Sequence, residues 1–281
     1  MHSRDQRPGI ASVLVIASCT GIQGTAALTS ALFATAGITG TVGLRQLVGA
    51  GALLLLARPE LRGRTPRQWA QIVLYGVAMA AMNLAFYQAV ARLPLGVAAT
   101  LLFLGPFAVA AAMIKRRWEI VFPLAGLAGV LLLARTEGQI TWSGLLFGAI
   151  SAAALALYTV SAQRLGHAEP GLKPVALSVS VASLLLLPFS LTAAPQLARG
   201  DWVVALSGLL GVALPYALDF LAIRMASARI VATLFALAPV VGAVIGALFL
   251  GDPLSGPAIA GIALIVTTGA ALTWTAQTRR N

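Results

Sequence analysis

Runs of about 20 residues with scarcely a charge recur along the whole of this sequence, and they constrain its fold more than any other feature. PVALSVSVASLLLLPFSLTA, residues 174–193, is one of them. A helix of that length reaches across the roughly 30 Å hydrocarbon core of a bilayer. Ten such runs are present, over 10–33, 40–57, 69–91, 94–114, 120–134, 142–164, 174–193, 202–223, 228–250 and 257–276. The fifth, IVFPLAGLAGVLLLA, is the shortest and contains Pro123. The connections between runs are short, which leaves no room for a soluble domain. With 59% hydrophobic and 10% charged residues and a mean hydropathy of +0.92, the expected fold class is an all-α integral membrane protein. In lipid only a helix or a closed barrel satisfies its own backbone.

The formal charge of +11 would suggest a nucleic-acid partner for a soluble chain, but here it orients the helices. If the N-terminus is cytoplasmic, fifteen of the nineteen basic residues fall in cytoplasmic segments, Arg92, Arg135 and Arg199 face the other side, and Arg45 alone lies inside a span. The positive-inside rule then puts both termini in the cytoplasm. The first apolar run is too long for a cleaved leader. Cys19 is the single cysteine, so no intramolecular disulfide forms; His2 and His167 make no metal site, and no phosphate-binding loop occurs. No cofactor, metal or nucleic acid is expected. The expected partners are a small molecule and membrane lipid, with the oligomeric state open and a monomer compatible with the sequence.

The chain repeats itself. VAATLLFLGP (97–106) aligns without gaps on IVATLFALAP (230–239), pairing Thr100 with Thr233 and Pro106 with Pro239 at an offset of 133. The same offset carries Tyr87 onto Phe220 and Ala89 onto Ala222, so the third and fourth helices correspond to the eighth and ninth. A shift of five helices is odd, so the second copy crosses the membrane in the opposite sense. The expected domains are residues 1–137 and 138–281, five helices each, as 5+5 inverted repeats suited to alternating access.

GIQGTAALTSALFATAGITGTVGLRQLVGAGALLLLARP (21–59), MNLAFYQAVARLPLGVAATLLFLGPFAVA (82–110), ALPYALDFLAIR (213–224) and ATLFALAPVVGAVIGALFLGDPLS (232–255) resemble the drug/metabolite transporter superfamily, EamA type. Within it they look most like bacterial amino-acid exporters of the threonine/homoserine kind. The resemblance implies the EamA fold and a central cavity lined mainly by the first, third, fourth, sixth, eighth and ninth helices. It also implies export from the cytoplasm across the bacterial inner membrane. Two positions depart from the pattern. Asp219 stands where such exporters usually carry glutamate, and Gly251-Asp252 replaces Gly-Glu; the second change is expected to affect only a helix end.

An exporter of zwitterions needs an acceptor for the ammonium, donors for the carboxylate and an adaptable pocket. The candidates are the polar groups inside spans: Gln23, Arg45, Asn83, Tyr87, Thr100, Tyr158, Tyr216, Asp219 and Thr233. Each also has a structural reading. Gln23 and Asn83 suit interhelical hydrogen bonds, Tyr87 and Tyr158 suit interfacial anchors, and Thr100 and Thr233 suit bonds to their own helix. Arg45 either attracts a carboxylate or snorkels to the outer headgroups. Asp219 either faces the cavity or pairs with Arg224. Pro106, Pro215 and Pro239 are candidate kinks, since a mid-span proline removes a helix donor.

The expected function is secondary transport, with no chemistry: export of small neutral amino acids such as threonine or homoserine, with methionine and aromatic amino acids within range. Exporters of drugs or aromatic compounds share the scaffold and remain the alternative. An integral membrane enzyme would place acid, base or metal ligands together, and this sequence has no histidine cluster and no paired intramembrane carboxylates. A purely structural membrane protein would not explain polar residues gathered on repeat-related helices.

Overall fold

The structure is a computed structural model of the 281-residue chain, and it describes residues 8–112, 121–134, 140–168, 171–196, 202–225 and 238–277. Every regular element among these residues is helical. In order, α1 is Pro8–Ser30, α2 Ile38–Ala57, α3 Pro66–Val90, α4 Leu95–Ala112, α5 Val121–Ala134, α6 Trp142–Ala168 and α7 Lys173–Ala193. Element α8 is composite: Trp202–Gly208, a π-helical turn Leu209–Ala213, and Leu214–Met225. Element α9 is described over Ala238–Ile245 and a second π-helical turn, Gly246–Leu250; α10 is Gly256–Gln277. By length and composition α1, α2, α3, α6, α7 and α8 can cross a membrane.

The helix ends follow from local chemistry. Thr65 caps α3: its hydroxyl accepts from the Gln68 N–H at 3.3 Å while its own N–H donates to Gln68 Oε1 at 2.8 Å, with Pro66 at the first helical position. Arg58 closes α2 in the left-handed region, φ +42°, and Pro59 forbids another turn. The apolar run expected over 10–33 is divided. Helix α1 stops at Ser30, and a separate turn, Phe33–Ala36, leads to Gly37 at φ +67°. Pro123 falls in the first turn of α5, where its missing N–H is not needed.

Polarity is inverted relative to a soluble protein. Leu55 is 78% exposed and Phe249 76%, whereas Arg45 is 2% exposed. Apolar side chains clothe the outside of the bundle and polar ones are gathered within it, as a lipid surround requires.

The packing has a pattern of its own. Helix α2 packs on α7, α4 on α9 and α5 on α10; α3 packs on α6 and α1 on α8; α3 meets α7 and α2 meets α8; α4 meets α6 and α1 meets α9. Moving every label by five carries each of these pairs onto itself or onto another of them, whereas the α4–α10 contact has no counterpart of similar extent between α9 and α5 among the described residues. Along the α2–α7 seam the backbones approach closely: a Cβ on Gly43 would lie 2.9 Å from the Leu186 carbonyl oxygen. Small residues permit such contacts where no hydrophobic force drives association.

Candidate functional site

Two contacts identify the ends of the bundle. Asp252, after α9, accepts from the Leu95 N–H at 2.7 Å, so the 91–94 and 251–255 connections share one end, the outer one in the orientation expected from charge. Lys173 and Glu60 pair at 2.6 Å at the opposite, inner end. There the neighbouring ammonium holds the exposed Glu60 carboxyl below its usual range. Asp252 thus has a larger part than the helix-end change expected of it. It satisfies the N-terminal donor of a different helix, α4, where Pro94 supplies no N–H.

Between these ends α1, α2, α3, α6 and α8 bring polar groups together. In the outer half, Arg45 of α2 is turned inward, its Cζ 4.5 Å from the centroid of the Tyr87 ring on α3. Such a desolvated cation–π contact contributes roughly 2 kcal/mol. The Tyr87 ring is held edge-on by Phe33, with centroids 6.1 Å apart, and by Phe86 at 5.6 Å. Thr25 of α1 and Gly211 in the π-helical turn of α8 complete the surroundings of the guanidinium.

One helical turn further in, Asn83 Nδ2 donates to the Tyr216 hydroxyl at 2.7 Å and to its own helix at Met79 O, 3.0 Å. These two residues are separated by 133 positions, the offset of the sequence repeat. The Tyr158 ring lies 6.1 Å from that of Tyr216 and 4.7 Å from that of Tyr75, which continues the polar column toward the inner end. Asp219, three residues beyond Tyr216, faces Ser18 and Cys19 of α1. Gln23 lies at the junction of α1, α4 and α9, its side-chain carbonyl carbon 3.4 Å from where a Cβ on Gly242 would be.

Gln23, Arg45, Asn83, Tyr87, Tyr216 and Asp219 are between 1 and 8% exposed, and Tyr158 is partly exposed. The centre is closed to water in this conformation. It is also under-satisfied. Both polar atoms of Gln23, Nε and Nη1 of Arg45, the Tyr87 hydroxyl and Oδ1 of Asp219 have no hydrogen-bond partner among the described residues. A buried polar group left so costs about 1–3 kcal/mol. A ligand bearing both donors and acceptors would relieve several at once.

The remaining sequence candidates fall elsewhere. Thr100 is fully buried and donates to Gly96 O of its own helix at 2.6 Å. Thr233 lies outside the described residues. Pro106 is inside α4, which runs from Leu95 to Ala112. Pro215 follows the π-helical turn of α8, and Pro239 is the second residue of the described part of α9. Sequence reasoning missed Gln46 and Tyr75. Gln46 is 0% exposed with neither amide atom paired among the described residues, and Tyr75 is 3% exposed against Tyr158. Both were visible to the rule that selected their neighbours, a polar group deep in an apolar run. Among the described residues no group of three or more His, Cys, Asp or Glu is placed to hold a metal ion.

Comparison with known proteins places this arrangement. Residues 142–275 match the EamA-like transporter family. The chain is 30% identical over 272 residues to the threonine/homoserine exporter RhtA of Escherichia coli (strain K12), covering 94% of this chain and 92% of that protein. It is 31% identical over 270 residues to the exporter of the same name from Salmonella typhimurium (strain LT2), covering 94% and 90%. A solved crystal structure superposes with a TM-score of 0.64 at 20% identity, covering 99% of each chain, which is a likeness of fold.

Proposed function

The chain belongs to the EamA-like transporter family, and on that premise we propose that it exports small neutral amino acids, threonine and homoserine foremost, across a bacterial inner membrane. It does so as a secondary transporter of ten membrane helices in two inverted five-helix repeats, 1–137 and 138–281, with both termini cytoplasmic, alternating between states open to either side. The helix pairs that survive a shift of five labels support the division into halves, because a pseudo-twofold between inverted repeats produces that invariance.

The observation that carries the substrate reading is the buried guanidinium of Arg45 above Tyr87, its Nε and Nη1 unpaired among the described residues, one turn from the Asn83–Tyr216 bond. One turn of α3 separates Tyr87 from Asn83, about 6 Å along the axis. A small amino acid fits that separation, with its carboxylate on Arg45 and its ammonium or hydroxyl exchanging partners with Tyr216 and Asn83. Tyr158 and Tyr75 flank the path, and Gln23 meets it from α1. Asp219 is eight residues from Gly211 along α8, about 12 Å at the helical rise. Ammonium and carboxylate sit on one carbon, so Arg45 and Asp219 do not hold the same molecule in the same pose. Asp219 serves the cytoplasmic entrance, taking the ammonium before the carboxylate reaches Arg45.

The test is purified protein in liposomes loaded in turn with labelled threonine, homoserine, methionine, tryptophan and a lipophilic cation. Threonine or homoserine is expected to move. Movement of the cation alone would overturn the reading in favour of a drug exporter.

A further inference from the structure

The two halves make the same close contact in different registers. A Cβ on Gly76 of α3 would lie 2.6 Å from the Ser178 carbonyl oxygen and 2.7 Å from Val181 Cβ on α7. A Cβ on Gly208 of α8 would lie 2.7 Å from the Arg45 carbonyl oxygen and 2.6 Å from Val48 Cβ on α2. Arg45 and Ser178 are 133 positions apart, as are Val48 and Val181, yet Gly76 and Gly208 are only 132 apart. Further along the same helices, Asn83 and Tyr216 are again 133 apart and touch. Between Gly208 and Tyr216, then, α8 carries one residue more than α3. The π-helical turn Leu209–Ala213 lies in that interval, with the Leu214 N–H reaching back five residues to Leu209 O. A one-residue insertion absorbed within a helix takes this form.

The extra residue faces the site. A Cβ on Gly211 would overlap the Arg45 guanidinium and the Thr25 hydroxyl, so any larger residue there has to displace one or both of these side chains. Pro215 brings no N–H to the turn before it, which leaves a carbonyl of that turn without its helical donor. In the other half the position equivalent to Arg45 is Ser178, fully buried, whose hydroxyl donates to Ile72 O at 3.0 Å against an uninterrupted α3. Beside the π-helical turn stands the partly unpaired cation, and at the equivalent place against the uninterrupted helix stands a serine whose hydroxyl is satisfied.

We propose that the π-helical turn of α8 is the specificity-determining element of the export site. Its extra residue and the bare backbone of Gly211 shape the pocket in which Arg45 receives the carboxylate of the amino acid. Gly211 is a positioning residue, acting through Arg45, and the proposal rests on the reading that Arg45 binds that carboxylate.

The test compares transport of threonine and of threoninamide, which lacks the carboxylate, by wild type, Gly211→Ala, Gly208→Ala, Arg45→Gln, Arg45→Lys and Arg45→Lys/Gly211→Ala in liposomes, with thermal unfolding as the control for folding. Gly211→Ala is expected to raise the half-saturation concentration for threonine about tenfold, the loss of one charge-assisted contact, while leaving that for threoninamide unchanged. Gly208→Ala is expected to lower thermal stability with the threonine-to-amide ratio unchanged. Lysine at 45 removes one of the two groups with which the new methyl collides and leaves only the Thr25 hydroxyl, so the double variant is expected to fall short of the sum of the two single effects. An unchanged ratio in Gly211→Ala, equal losses for both compounds, or additive effects would each overturn the proposal. If Arg45→Gln abolishes discrimination and Gly211→Ala does not, the role of Arg45 stands and that of the turn falls. If Arg45→Gln discriminates as wild type does, the carboxylate reading falls with it.

Discussion

Asn83 and Tyr216 stand 133 positions apart, the offset of the sequence repeat, and yet differ, and their difference lets them bond: an amide donates to a phenolic oxygen at 2.7 Å, deep in the bundle. Removing either partner alone leaves the other buried with fewer bonds, at a cost of about 1–3 kcal/mol; removing both leaves nothing orphaned. Asn83→Leu/Tyr216→Phe should therefore lose less thermal stability in detergent than the sum of Asn83→Leu and Tyr216→Phe, and additive losses would show that the bond contributes nothing. Asp219 makes a different prediction, because its Oδ1 has no partner among the described residues. Asp219→Asn should insert and fold normally but export poorly; wild-type rates would return Asp219 to a local structural role. At this scale the sequence was informative, since a polar group in an apolar run stands out. Arg45, Gln23, Asn83, Tyr216 and Asp219 were all selected in that way, and Gln46 and Tyr75 met the same criterion. What a single sequence does not contain is the pairing. Arg45 on Tyr87, and Asn83 on Tyr216, depend on how helices distant in the chain pack, so the same residues read equally well as anchors, interhelical bonds or cavity groups.

Helices as whole elements were legible where periodicity or a terminus announces them and illegible where the backbone departs from one period. The apolar spans of α1, α2, α3, α6, α7 and α8 and the shortness of the fifth helix could be read from residue types. The division of the first span at Ser30 and the π-helical turn of α8 could not. Pro215 hinted at an irregularity in α8, but a kink, a bulge and a straight helix with a proline share one sequence signature. The ungapped 133-residue offset also hid the insertion, because it was measured beyond the turn, where the register has already recovered. Asp252 shows the same limitation, since a carboxylate after α9 gives no sign that it caps α4. Asp252→Ala should leave the Leu95 N–H unsatisfied and lower stability by about 1 kcal/mol. Asp252→Asn, which keeps an acceptor oxygen, should retain most of it. Equal losses for the two variants would mean that packing of the 251–255 connection, rather than the cap, sets the stability.

Considered whole, the molecule has two ends that differ in charge and polar groups buried between them, an arrangement that the proposed alternating-access cycle would use. The 58–67 connection bears four arginines and packs against the start of α7 through the Lys173–Glu60 pair, whereas the connections expected on the other side share only Arg92, Arg135 and Arg199. In lipid such asymmetry orients the chain, since basic segments are retained on the cytoplasmic side. Sidedness can be tested directly because Cys19 is the only cysteine and is buried. Arg62 and Ser143 are exposed at opposite ends of the bundle, Arg62 beside the Glu60 pair and Ser143 next to the outer Thr141–Arg92 contact at 3.5 Å. In a Cys19→Ser background, Arg62→Cys should react with a membrane-impermeant maleimide only in inside-out vesicles, and Ser143→Cys only in intact spheroplasts. The reverse pattern would invert the proposed topology and turn the Arg45 end toward the cytoplasm. The outer carboxylate pocket and the inner Asp219 would then exchange roles, and export would have to begin at Arg45 rather than end there.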